Sequence, residues 1–119
     1  MGKIDVKRKD LVIIRKTTKV YEIQFKKNGV RENIKGWTIY FTVKESKKDT
    51  DVKAKINKKI TNHINASAGK TLIQLSTSDT DLPAGSYHYS IDYKDDEGNE
   101  DVILHGRIKF EESTRQTRD

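Results

Sequence analysis

The chain has no cysteine and a single proline, Pro83, in 119 residues. No cysteine means no disulfide and no thiolate metal site, so a domain of this size must be held together by packing alone. Long apolar runs are missing too. None approaches the roughly 20 residues that cross a bilayer, and the opening "MGKIDVKRKD" lacks the apolar region of a signal peptide. Gly2 follows Met1, but Val6 stands where N-myristoylation wants serine or threonine. The expectation is a protein made and folded in a cytoplasm, with no membrane partner. Apolar residues are 33% of the chain and charged residues 35%, against about 25% charged in ordinary domains. A thin core under a heavily solvated surface suits one small sandwich or barrel.

Motifs that carry chemistry are equally scarce. The P-loop, G-x-G-x-x-G and zinc-finger spacings are absent. No G-x-S-x-G elbow activates a serine, and the candidate bases are His63, His88 and His105. His88 and His105 fall on outward positions of the last two strands. Two imidazoles on one face could share a metal, but no third ligand is suggested, and solvated side chains explain them more simply. The acidic run "DDEGNED" offers oxygen ligands without the D-x-D-x-D-G spacing of a calcium loop. A turn with glycine at positive φ accounts for it. No carboxylate pair for glycoside hydrolysis can be located. The reading is a non-enzyme with no cofactor and no metal site.

What the sequence does have is period-2 alternation. Leu11–Ile14 is a short apolar run, and Tyr21, Ile23 and Phe25 share one face of the next segment. "KNGV" and "NIKG" are turn signals. Trp37, Ile39, Phe41 and Val43 then point inward, with Thr38, Tyr40, Thr42 and Lys44 outward. "KAKINKKIT" alternates Ala54, Ile56, Lys58 and Ile60 against lysines and an asparagine, as a sheet edge does. Ile73 and Leu75 follow on one face. "LPAGSYHYSIDY" puts Tyr87, Tyr89, Ile91 and Tyr93 inward, and the last strand puts Val102, Leu104, Ile108 and Phe110 inward. Gly106 interrupts that strand, where a bulge or a close backbone approach is expected. Pairing counted from the acidic turn would set Tyr93 against Asp101, Ile91 against Ile103 and Tyr89 against His105.

About seven strands with turns every 8–12 residues are the mark of an all-β antiparallel sandwich. Trp37 sits early on the third main strand and Tyr87 at the start of the sixth, behind "SDTDLPAG". These are the places of the buried tryptophan and the tyrosine corner of immunoglobulin-like sandwiches. The expected division is a basic N-terminal segment at 1–9, the sandwich at 10–111 and a flexible tail at 112–119. Trp37, Phe41, Tyr87 and Tyr89 are its structural core.

Net charge is +6, from 24 basic and 18 acidic residues. The basic residues gather in Lys3–Arg15 and at Lys53, Lys55, Lys58 and Lys59, and the acidic ones in "DYKDDEGNED". These four lysines are the candidate basic face for assembly. They also carry the alternative reading, a module binding nucleic acid or glycan. Nucleic acid is the less favoured partner, because the aromatic ladder lacks the basic interleaving of single-strand platforms.

Two motifs add a resemblance. One is "FKKNGVRENIKGWTIYFTVKES". The other runs "SAGKTLIQLSTSDTDLPAGSYHYSIDYKDDEGNEDVILHGRIKF", with D-T-x-L-x-x-G-x-Y-x-Y at its centre. The chain resembles the immunoglobulin-like domain of bacteriophage structural proteins, in particular the N-terminal domain of baseplate upper proteins of siphophages. The similarity covers roughly residues 10–111. Asn33–Ile34 stands where members of that family often carry Asp-Leu. The resemblance implies a virion component of tail or baseplate, made in a bacterial host and packed against other particle proteins or further copies of itself. The chain is then a one-domain homologue or a domain of a longer protein.

Overall fold

The computed structural model describes residues 7–114. Among them are ten strands and no α-helix: β1 (Lys7–Arg8), β2 (Leu11–Ile14), β3 (Lys19–Gln24), β4 (Lys26–Lys27), β5 (Val30–Arg31), β6 (Thr38–Lys44), β7 (Ile56–Ile60), β8 (Lys70–Leu75), β9 (Gly85–Lys94) and β10 (Glu100–Glu111). Single 3-10 turns occupy Asp51–Lys53 and Ala66–Ala68. Six strands form one sheet in the order β1-β10-β9-β6-β7, with β2 also on β10. β3 pairs with β8, and β4 with β5.

The all-β class is what the alternation predicts. The large sheet, however, is mixed. β10, β9, β6 and β7 are antiparallel neighbours, whereas β1 and β2 run parallel to β10. Parallel pairing needs a long connection, and here almost the whole chain lies between the partners. Alternation along a strand carries no information on partner direction, so the sequence expectation of an antiparallel sandwich missed this.

β6 shows why strands form where they do. "TIYFTVK" is rich in β-branched and aromatic residues, and its burial alternates strictly, with Ile39, Phe41 and Val43 inaccessible. The turn at Asn28–Gly29 has φ of 53° and 78°, the type I′ geometry that joins two-residue hairpins and favours Asn-Gly. The short β4–β5 hairpin follows from it.

One core draws on both main sheets, with Ile13, Trp37, Phe41, Tyr87, Ile91, Ile108 and Phe110 from the larger sheet and its flanks, and Ile73 and Leu75 from β8. The last strand departs from the expected register. Asp101 faces Tyr93 as counted, but a bulge between Val102 and Leu104 shifts the rest. Leu104 faces Ile91 and Gly106 faces Tyr89, not Ile103 and His105. A bulge adds one residue and so exchanges the faces beyond it. Ile103, 8% exposed, takes a core place, while Val102 lies opposite Asp92 and lines the outer face.

Gly106 is the point of close approach. A Cβ there would lie 2.3 Å from the Lys9 carbonyl oxygen, where the chain crosses between β1 and β2. That crossing is fixed by the Lys9 N–H donating to the His105 carbonyl at 2.9 Å, the Tyr89 hydroxyl donating to the Lys9 carbonyl, and the Arg107 N–H donating to Asp10 Oδ1 at 3.0 Å.

Of the basic segment expected at 1–9, residues 1–6 lie outside the described residues, as do 115–119 of the tail expected at 112–119. Glu112 accepts from Arg15 at 2.6 Å. No helix among the described residues is long and apolar enough to cross a membrane.

Candidate functional site

Trp37, Phe41, Tyr87 and Tyr89 are 6%, 0%, 6% and 3% exposed. Trp37 lies just before β6 and stacks on Tyr93 with ring centres 4.9 Å apart, while Phe25 meets it edge-on at 5.6 Å. Tyr89 has its phenol pushed up to about 12, first by burial and then by Tyr21 and Asp10. These rings fill positions in the core.

The motif D-T-x-L-x-x-G-x-Y folds into a lock between the two ends of the core. The Tyr87 hydroxyl donates to the Pro83 carbonyl at 2.7 Å, closing the turn into β9. Thr80, wholly buried, donates to the Thr17 carbonyl at 2.6 Å and accepts from the Thr17 N–H at 3.0 Å. Arg15 donates through Nε to the Leu82 carbonyl and reaches Asp81 at 3.1 Å. Asp79 accepts from the Ser76 N–H at 2.8 Å and pairs with Lys58 at 2.8 Å. Its carboxyl is held below the usual range: burial pushes it up, and the Lys58 and Ser76 hydrogen bonds outweigh that. Asp79, Thr80, Leu82 and Tyr87 of the motif each therefore take part in this hydrogen-bonded turn.

The four lysines do not make one uniform face. Lys53 ends a 3-10 turn and Lys55 sits ahead of β7. Lys58 and Lys59 are neighbours on β7 and so point to opposite sides of the sheet. Lys55 pairs with Glu45 at 3.4 Å and Lys58 with Asp79. Among the described residues Lys53 and Lys59 make no ion pair. β7 bonds only to β6 within its sheet and is an edge.

The histidines separate. His63 is half-buried and bridges the sheets, with Nε2 donating to the Trp37 carbonyl at 2.8 Å and Nδ1 meeting the Thr71 hydroxyl at 2.8 Å. His88 and His105 stand on the outer face, as expected, but not directly opposite one another: His88 faces Arg107, and His105 faces Ser90. No group of three or more His, Asp or Glu among the described residues is placed to hold a metal. The acidic turn is internally bonded, with Asp95 Oδ1 accepting from the N–H groups of Glu97 at 3.0 Å and Asn99 at 2.8 Å.

The outer face of the large sheet was not singled out by the sequence as a unit. Register assembles it in rows: Arg107, His88 and Lys44; then His105, Ser90, Thr42 and Asn57; then Val102, Asp92, Tyr40 and Lys59. A depression of about 370 Å³ lies over the first rows and adjoins one of about 630 Å³ over the third. Charge divides along it. His88 is depressed by burial, then by Arg107, Lys47 and Arg8. Asp92 is raised by burial, opposed by a hydrogen bond from Ser90 and reinforced by Asp51 and Glu100. Its Oδ1 is buried with no hydrogen-bond partner. The alternation marks these residues as outward, except Val102, which the bulge brings to this face; only the strand pairing groups them.

Compared with protein-family models and with curated proteins, the chain gives no match. Its function must therefore be read from its own residues.

Proposed function

We propose that the chain is a non-enzymatic structural protein of a bacteriophage tail or baseplate, an immunoglobulin-like sandwich that works through contacts with other particle proteins. The observation that carries this is the lock around Tyr87. The residues of the phage-like motif, Asp79, Thr80, Leu82 and Tyr87, are the ones joined in it. A motif in which these four residues are structural supports a fold in common with the proteins it resembles. The sandwich reading is supported further by two sheets on one core and by the buried Trp37.

Assembly is the use that suits such a body. Its aromatics are spent on packing, and the free edge of β7 with its lysines is a surface that neighbours can meet. Against a nucleic-acid-binding lysine face stand the Lys55–Glu45 and Lys58–Asp79 pairs, which leave fewer cations free. The test is genetic. A strain in which the coding sequence is interrupted should release no infectious particles, and supplying the chain in trans should restore them. Normal particle yield without the chain would contradict the proposal.

A further inference from the structure

Three strands and one loop bring cations together at one end of the outer face. His88 on β9 lies in register between Arg107 on β10 and Lys44 on β6, and His105 follows two residues before Arg107. Lys44, Lys47, His88 and His105, with the hydroxyls of Thr42 and Ser90, line the depression of about 370 Å³. Lys44 has a counter-charge, Asp51 at 2.8 Å. The side chains of Lys47, His88, His105 and Arg107 have no ion pair or hydrogen bond among the described residues.

Like charges gathered without a counter-ion repel one another, and a bound anion removes that repulsion. The effect is visible in His88, which burial and then Arg107, Lys47 and Arg8 make harder to protonate. Besides Tyr89 and Val102, the lining carries hydrogen-bond donors, ammonium, imidazole N–H and hydroxyl, the set that suits a tetrahedral oxyanion. The volume falls in the range of small-molecule sites. Carboxylates Asp92, Glu100 and Asp101 line the next depression on the same face. They would repel a continuing polyphosphate backbone, so a single oxyanion is favoured over a nucleic-acid strand.

We propose that the depression bounded by Lys44, Lys47, His88, Ser90 and His105 binds one phosphate or sulfate group, free or carried as a monoester on a small molecule. This goes beyond the assembly reading and does not depend on it.

The experiment is a nuclear magnetic resonance titration of the full chain with inorganic phosphate, at ionic strength held constant with chloride. Glycerol phosphate, sulfate and a single-stranded oligonucleotide are parallel probes. The imidazole signals of His88 and His105 should shift and saturate, while those of His63, held by Trp37 and Thr71, should not. Binding of sulfate, whose charge does not change in this range, should tighten as pH falls, because protonated His88 is the better anion partner. The charged groups around it are Arg107, Lys44, Lys47 and Arg8, with Asp51 taken by Lys44 and Asp10 by Arg8. Lys47→Gln replaces an exposed side chain of the lining and should weaken phosphate binding by about tenfold, the effect of one charge-assisted contact, while Arg107→Gln removes a neighbouring charge beside the depression and should weaken it less. Tighter binding of glycerol phosphate than of phosphate identifies a carried group, and equal binding a free anion. No saturable shift with any oxyanion, unchanged affinity in both variants, or binding of the oligonucleotide alone would overturn the site.

Discussion

Trp37, stacked on Tyr93 and edge-on to Phe25, fills space that no neighbour can easily reclaim. Trp37→Ala should cost roughly 3–5 kcal/mol, as large aromatic truncations in cores do. Denaturant titration reads this, and an unchanged midpoint would mean that Trp37 is not core. Tyr87→Phe loses one hydrogen bond, to a carbonyl on an exposed residue, and should cost nearer 1 kcal/mol. Asp92 predicts a pH effect. Its folded pKa is raised, chiefly by burial, so its contribution to stability is complete below the unfolded carboxylate range and is lost as pH rises through the folded value. Asp92→Asn removes that loss. The variant should melt higher than the wild type at neutral pH, and the difference should vanish in acid; a pH series of thermal melts checks it. The inward aromatics were legible because alternation is local. The burial of Asp92 was not, because it comes from Tyr40 and Val102 on neighbouring strands.

β10 is the element that the rest of the sheet depends on, since it pairs with β9 on one side and with β1 and β2 on the other. Gly106→Ala would drive a methyl group against the Lys9 carbonyl, so the crossing between β1 and β2 must lift. A loss of about 2 kcal/mol or more is expected, well above an ordinary surface change, together with faster amide exchange at Lys9. Wild-type exchange there would show that the crossing is not fixed by Gly106. The seven longer strands were readable from sequence, as were the Asn28–Gly29 turn and the lysine-rich edge; the two-residue strands β1, β4 and β5 were not. The bulge at Ile103 was not, because "DVILH" offers several apolar residues in a row and alternation cannot choose which to skip. Nor could the direction of β1 and β2 be read, because no turn links them to β10.

Across the whole molecule, basic residues collect at the β7 edge and acidic ones in the turn joining β9 to β10. Replacing Lys53, Lys55, Lys58 and Lys59 together by glutamine should weaken association with particle proteins, more so at low salt than at high, since exposed charges are screened within about 10 Å at 0.1 M. A pull-down over a salt series reads this, and association unchanged at every salt would remove those lysines from assembly. The lysines could be named from sequence; that two of them are taken by Glu45 and Asp79 could not, because those partners are far along the chain or across a loop. The most direct test of the proposed role is quantitative mass spectrometry of gradient-purified particles from the strain that encodes the chain. The chain should be present in a fixed ratio to the other particle proteins from one preparation to the next. Its absence, or a ratio that drifts as a contaminant's does, would contradict a structural place in the virion.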